Sequence, residues 1–87
     1  MYKFETKLMN ETGLHARPAS LLVKEAANYK CKISIIKDGI EYNGKSIMAI
    51  LSMGAVKGDK LMIITQGEDE KEAFEGLKAL ANNNFGE

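Results

Sequence analysis

Asp38-Gly39 separates CKISIIK, residues 31 to 37, from IEYN, residues 40 to 43. Two short β-branched runs joined by Asp-Gly read as a hairpin with a type I′ turn, because both central residues of that turn need positive φ. The dipeptide therefore fixes one antiparallel strand pair. The remaining segments have to be arranged around that pair. YKFETKL, residues 2 to 8, alternates Tyr2, Phe4, Thr6 and Leu8 against Lys3, Glu5 and Lys7, the period of a half-buried strand. KLMIITQ, residues 60 to 66, is a further strand. From Ala16 to about Asn28 the period is helical, with Ala19, Leu22, Val23 and Ala26 on one face.

Two more helices complete the order. Ser46 precedes IMAILSM as an N-cap, and Gly54 follows in the position that a left-handed helix stop requires. GEDE opens the last helix, where Asp69 and Glu72 are spaced as a capping pair and Ala73, Leu77, Leu80 and Ala81 form the buried stripe. NNNFGE is expected to fray. The order βαββαβα in 87 residues fits one domain, 1 to 87. Its fold class is α+β, an antiparallel sheet covered by helices on one face.

Charge and composition close off several functions. Twelve basic residues balance twelve acidic ones, against the concentrated basic surface that nucleic-acid binding needs. Residues 1 to 45 carry eight Lys or Arg against five acids, and residues 46 to 87 four against seven. One Cys and one His exclude a disulfide and make a protein-only metal site untenable. Cys31 reads as a small core residue. No apolar run approaches the roughly 18 residues of a membrane span, and no basic leader precedes one. A cytoplasmic, soluble monomer without cofactor or metal is expected, with no membrane insertion.

The sole histidine, sole arginine and sole proline fall within four positions, His15, Arg17 and Pro18. With Ala16 as first helical residue, His15 is the N-cap. Pro18 costs no hydrogen bond there, because first-turn N–H groups have no intrahelical partner. Arg17, preceding proline, is restricted. The positive helix end and the guanidinium disfavour imidazolium, and neutral imidazole is a nucleophile. The free N–H groups opening at Ala16, the Arg17 fork, the Thr12 hydroxyl and a close backbone approach at Gly13 all suit a phosphoryl group. A lone His at a helix start is also commonly a plain cap, and spacing alone leaves both readings open.

Residues 47 to 56 carry no charge. Ala49, Ile50 and Met53 share one helix face, and Ile47, Met48 and Leu51 share another. A short helix in a small domain buries one face, so the second is expected to be an exposed docking patch. The competing reading wedges the helix wholly into the core. Ser46 needs no role beyond capping, but phosphorylation there would keep the helix and set a charge of roughly −2 beside the patch.

Taken together, these residues resemble the HPr family, the histidine-containing phosphocarriers of the bacterial phosphoenolpyruvate:sugar phosphotransferase system. GLHARPA at 13 to 19 is similar to its active-site signature, and GKSIMAILSMGA at 44 to 55 to its regulatory-serine segment. GEDEKEAFEGL at 67 to 77 is similar to the start of its last helix. The resemblance implies an open-faced β-sandwich, four antiparallel strands with three helices on one face. It implies that His15 accepts a phosphoryl group on Nδ1, the pros nitrogen, from phosphorylated enzyme I. His15 would pass that group to the A components of sugar permeases, with Arg17 steadying it. The protein would be a stoichiometric carrier rather than an enzyme.

The resemblance further implies that Ser46 is the target of HPr kinase/phosphorylase, and that the serine-phosphorylated form acts with a LacI-type catabolite regulator in carbon catabolite repression. The implied docking surface includes Ser20, Lys24, Ala27, Ile47, Met48 and Leu51. Ala49 stands where relatives often have Gly, and Thr12 where many have Ser. A regulatory paralogue lacks the histidine and keeps the serine, so His15 argues against it. The alternative function is a binding module acting only through Ser46 and the patch. A small-ligand domain ranks below both, since no GxGxxG loop is present.

Overall fold

A computed structural model of the chain describes residues 1–86. Its elements run β1 (Tyr2–Lys7), α1 (Ala16–Ala26), β2 (Lys32–Lys37), β3 (Ile40–Asn43), α2 (Ile47–Ser52), β4 (Lys60–Gln66) and α3 (Glu70–Asn82), then a short turn over Asn84–Gly86. The strands form one antiparallel sheet in the order β1-β4-β2-β3. The βαββαβα reading and the hairpin both hold. Asp38 and Gly39 have φ of 52° and 79°, the pair that a type I′ turn demands, and Lys37 faces Ile40 across it.

One face of the sheet carries the core. Ile33 and Ile35 of β2 sit opposite Thr65 and Ile63 of β4, and Leu61 continues the row. Against them pack Ala19, Leu22 and Ala26 of α1, Ile50 of α2, and Ala73 and Leu77 of α3, all fully buried. Each helix thus contributes one stripe, as the sequence periods require. Val23 and Leu80, assigned to those stripes, are half-buried at their margins. Phe74 packs at a tilt on Tyr2 and edge-to-face on Phe4, tying α3 to the edge strand. Gly76 is explained by the end of α1 and the turn after it: a Cβ there would overlap the Tyr29 hydroxyl, which donates to Glu25 at 2.6 Å. That bond, with burial behind it, pushes the Tyr29 pKa up to about 12.

Two expectations fail. The tail does not fray through its described part. Phe85 is 1 % exposed and packs between α1 and α3. Asn84 and Phe85 both take left-handed backbone, φ 53° and 54°, which folds the chain back so that the ring enters the core. For a bulky residue that conformation costs about 1–2 kcal/mol, and burying a phenyl ring outweighs it at about 1.5–3 kcal/mol. Asp69, expected to cap α3, makes no side-chain capping bond. Its carboxylate accepts instead from the backbone N–H groups of Lys30 and Cys31, at 2.8 and 2.9 Å, across the molecule. Glu70 takes the local task, accepting from Gly67 N–H at 2.9 Å and from the N-terminal ammonium at 2.7 Å.

Candidate functional site

The loop between β1 and α1 is held to the α2–β4 connection by main-chain bonds. Leu8 N–H donates to Asp59 O, Gly58 N–H to Leu8 O, and Leu14 N–H to Ala55 O, at 2.8, 2.7 and 3.0 Å. Gly13 lies within this clamp at φ 70°, and a Cβ there would overlap the Ala55 carbonyl. Only glycine meets both demands. Lys57 and Glu11 add an ion pair at 2.7 Å, which holds the Glu11 carboxyl below its usual range. At the other end Asn10 is buried, and its Nδ2 donates to Asn84 O at 2.6 Å. The C-terminal turn thus forms one wall of a groove lined by Met9, Asn10, Glu11, Thr12, His15 and Asn84.

His15 is the N-cap of α1 in extended backbone, and its side chain makes no capping bond. The ring reaches back instead, with Nε2 at 2.5 Å from Thr12 Oγ1. Its carbonyl accepts from Ala19 N–H at 2.9 Å, and Pro18, buried beneath, has no N–H to offer. The amides of Ala16 and Arg17 therefore have no partner among the described residues. Ala16, Arg17 and His15 are all exposed. The Arg17 side chain makes no ion pair among the described residues, where six other ion pairs are found. The start of α1 thus presents an exposed imidazole, two N–H donors without acceptors and a guanidinium without an ion-pair partner, a set of groups that welcomes an anion.

Ser46 caps α2 by accepting from Ala49 N–H on its Oγ at 3.2 Å, and its carbonyl accepts from Ile50 N–H. Ile50 is fully buried, Met53 nearly so and Ala49 partly, whereas Ile47, Met48 and Leu51 are 38 %, 75 % and 43 % exposed. The helix wedged wholly into the core is excluded. Helices α1 and α2 pack on each other. Lys24 and Ala27 are exposed and Ser20 half-exposed on α1, spaced at four and three residues along one face. Among the described residues no group of three or more His, Cys, Asp or Glu side chains gathers to hold a metal ion. No helix among them is long and apolar enough to cross a membrane.

Thr12, Gly13, His15, Ala16 and Arg17 come together at one helix end. Ser46 and the apolar residues lie at another. The sequence reading missed Asn10 and Asn84, which wall the groove. The available signal was Phe85, a lone large apolar residue in a polar tail that needs burial and brings Asn84 with it. Cys31 is buried, and its thiol pKa is raised by that burial and by Asp69.

Residues 2–83 match the family described as the PTS HPr component phosphorylation site. The phosphocarrier protein HPr of Treponema pallidum is 38 % identical over 81 residues, 93 % of this chain and 92 % of that one. HPr-C-His from Thermoanaerobacter tengcongensis is 40 % identical and superposes with a TM-score of 0.94, covering 100 % of this chain and 98 % of that one. The HPr-like protein Crh of Bacillus subtilis is 46 % identical over 77 residues, 88 % of each chain. A solved Crh chain, described as a swapped dimer, is 39 % identical with a TM-score of 0.75 and 97 % of each chain covered.

Proposed function

This chain belongs to the HPr family of phosphocarrier proteins, and from that premise we propose that it carries a phosphoryl group on His15. The group arrives on Nδ1 from phosphorylated enzyme I and leaves for the A component of a sugar permease. The N–H groups of Ala16 and Arg17 and the Arg17 guanidinium hold its oxygens, with Gly13 letting the backbone come close and Thr12 adding a hydroxyl. In-line transfer depends chiefly on positioning and electrostatics. A carrier therefore needs little beyond a nucleophile and an anion site, and the partner enzymes complete the rest. One observation supports this reading above the others: the N-cap residue of α1 is a nucleophile that leaves the helix end uncapped.

Ser46 is the regulatory position. Phosphorylated by HPr kinase/phosphorylase, it keeps its place at the start of α2 and sets negative charge beside Ile47, Met48 and Leu51. That change turns the docking face from enzyme I and permease components towards an Arg-bearing LacI-type regulator. Ser20, Lys24 and Ala27 extend the face along α1. The protein works in the cytoplasm as a monomeric unit of residues 1 to 87, modified and regenerated without turning over a substrate of its own. The likeness to Crh favours a second reading, a regulatory module acting only through Ser46 and the apolar patch of α2 and assembling as a dimer. Incubation with enzyme I and phosphoenolpyruvate separates the two. Wild type gains the mass of one phosphoryl group, and His15→Ala does not. An unmodified wild type, folded and incubated with a competent enzyme I, would favour the regulatory module, and a dimer by sedimentation would strengthen that reading.

A further inference from the structure

We propose that Thr12 sets the tautomer of His15, holding the ring proton on Nε2 and leaving the Nδ1 lone pair free to attack. The proposal rests on the carrier reading and names a positioning residue for it. A neutral imidazole has one N–H and one lone pair, and only the nitrogen with the lone pair is a nucleophile. Which nitrogen that is depends on the bond made by the other. In this structure Nε2 is the bonded nitrogen, 2.5 Å from Thr12 Oγ1, and Thr12 is the only polar side chain that reaches the ring among the described residues.

The contact has two possible directions. If the Thr12 hydroxyl donated to Nε2, the proton would sit on Nδ1. Nδ1 is bonded to Cγ and is the ring nitrogen nearer the main chain. His15 is itself the N-cap at the uncapped positive end of α1, where Ala16 and Arg17 already present N–H groups without acceptors. A further N–H dipole there is repelled, and a lone pair is favoured. The proton is therefore on Nε2, donated to Thr12 Oγ1, and the threonine hydrogen turns to solvent, to which Thr12 is exposed.

The step balances. The Nδ1 lone pair forms the bond to phosphorus as the phosphorus–donor bond breaks, and the donor leaves with that electron pair. Nε2 keeps its proton throughout. The ring becomes formally cationic with Nε2–H still on Thr12, which makes it a good leaving group for onward transfer. Thr12 acts through the ring, independently of any contact its hydroxyl makes with the phosphoryl oxygens.

The sole histidine makes the test direct, since ring-labelled protein gives two nitrogen resonances. Nitrogen-15 NMR of the unphosphorylated protein, at a pH where the ring is neutral, should place Nε2 in the pyrrole-like range and Nδ1 in the pyridine-like range. In Thr12→Val the two should move towards each other, and in Thr12→Ser they should return. Acceptance from enzyme I should slow about fivefold in the valine variant, what a hydrogen bond of ordinary net strength is worth, and recover with serine. A pyrrole-like Nδ1 in wild type, nitrogen shifts unmoved by Thr12→Val, or equal acceptance rates would each overturn the proposal. The expected tautomer in a wild type that takes no phosphoryl group would instead overturn the carrier reading.

Discussion

Helices α1 and α2 begin in opposite ways. Ser46 closes its helix by bonding Ala49 N–H, whereas His15 turns its side chain away and leaves two amides open. Both N-cap residues have extended backbone, with φ of −113° and −103°, so the difference lies in the side chains. A closed end adds stability to the fold. An open end forgoes about 1 kcal/mol of capping and keeps a place for an anion. The two sites thus suit two kinds of modification: a transient group on His15, and a lasting one on Ser46 that replaces an existing cap with a charged one.

If the open end is held by the surrounding fold rather than by bonds of its own, weakening that fold should have the largest effect on stability. Phe85→Ala, which empties the core position behind Asn84, should destabilise the protein by about 3–5 kcal/mol in urea denaturation. A loss under 1 kcal/mol would mean that the C-terminal turn does not support the groove. Next comes the contrast between the caps. Ser46→Ala should cost about 1 kcal/mol, and His15→Ala, which removes no capping bond, should stay within about 0.5 kcal/mol of wild type. Equal losses would erase the distinction between the two ends.

The smallest effect sharpens the comparison with the third helix. Asp69 begins α3 but spends its carboxylate on Lys30 and Cys31, and those N–H groups hold its pKa below the usual aspartate range. A lowered folded-state pKa means that the unfolded chain takes up the proton first as pH falls. This contribution is therefore complete above the ordinary aspartate pKa and drains away below it. Urea titrations of wild type and Asp69→Asn should differ most near neutrality and converge in acid. A gap that persists below the folded-state pKa would assign the effect to packing.

Much of this was legible in the sequence because it is local. Asp38-Gly39 specifies its turn by backbone chemistry, Ser46 caps its own helix, and His15, Arg17 and Pro18 are neighbours in the chain. What escaped depends on distant partners. Asp69 and Glu72 have capping spacing, but two amides brought close by the fold of the β2 approach outbid the local bond. NNNFGE is polar enough to fray, and only the cleft between α1 and α3 gives Phe85 a place. Asn10 and Asn84 stand 74 positions apart, beyond any local pattern. The family signature carried the site's chemistry, and the wall of its groove was visible only in three dimensions.

The central claim concerns the amides at the start of α1. Proton–nitrogen correlation spectra recorded before and after phosphorylation by enzyme I and phosphoenolpyruvate test it most directly. Ala16 and Arg17 N–H should shift strongly downfield as they acquire an acceptor, while Ala49 N–H, already bonded to Ser46, should stay in place. Ala16 and Arg17 resonances that move no more than Ala49 would show that the open helix end does not hold the phosphoryl group.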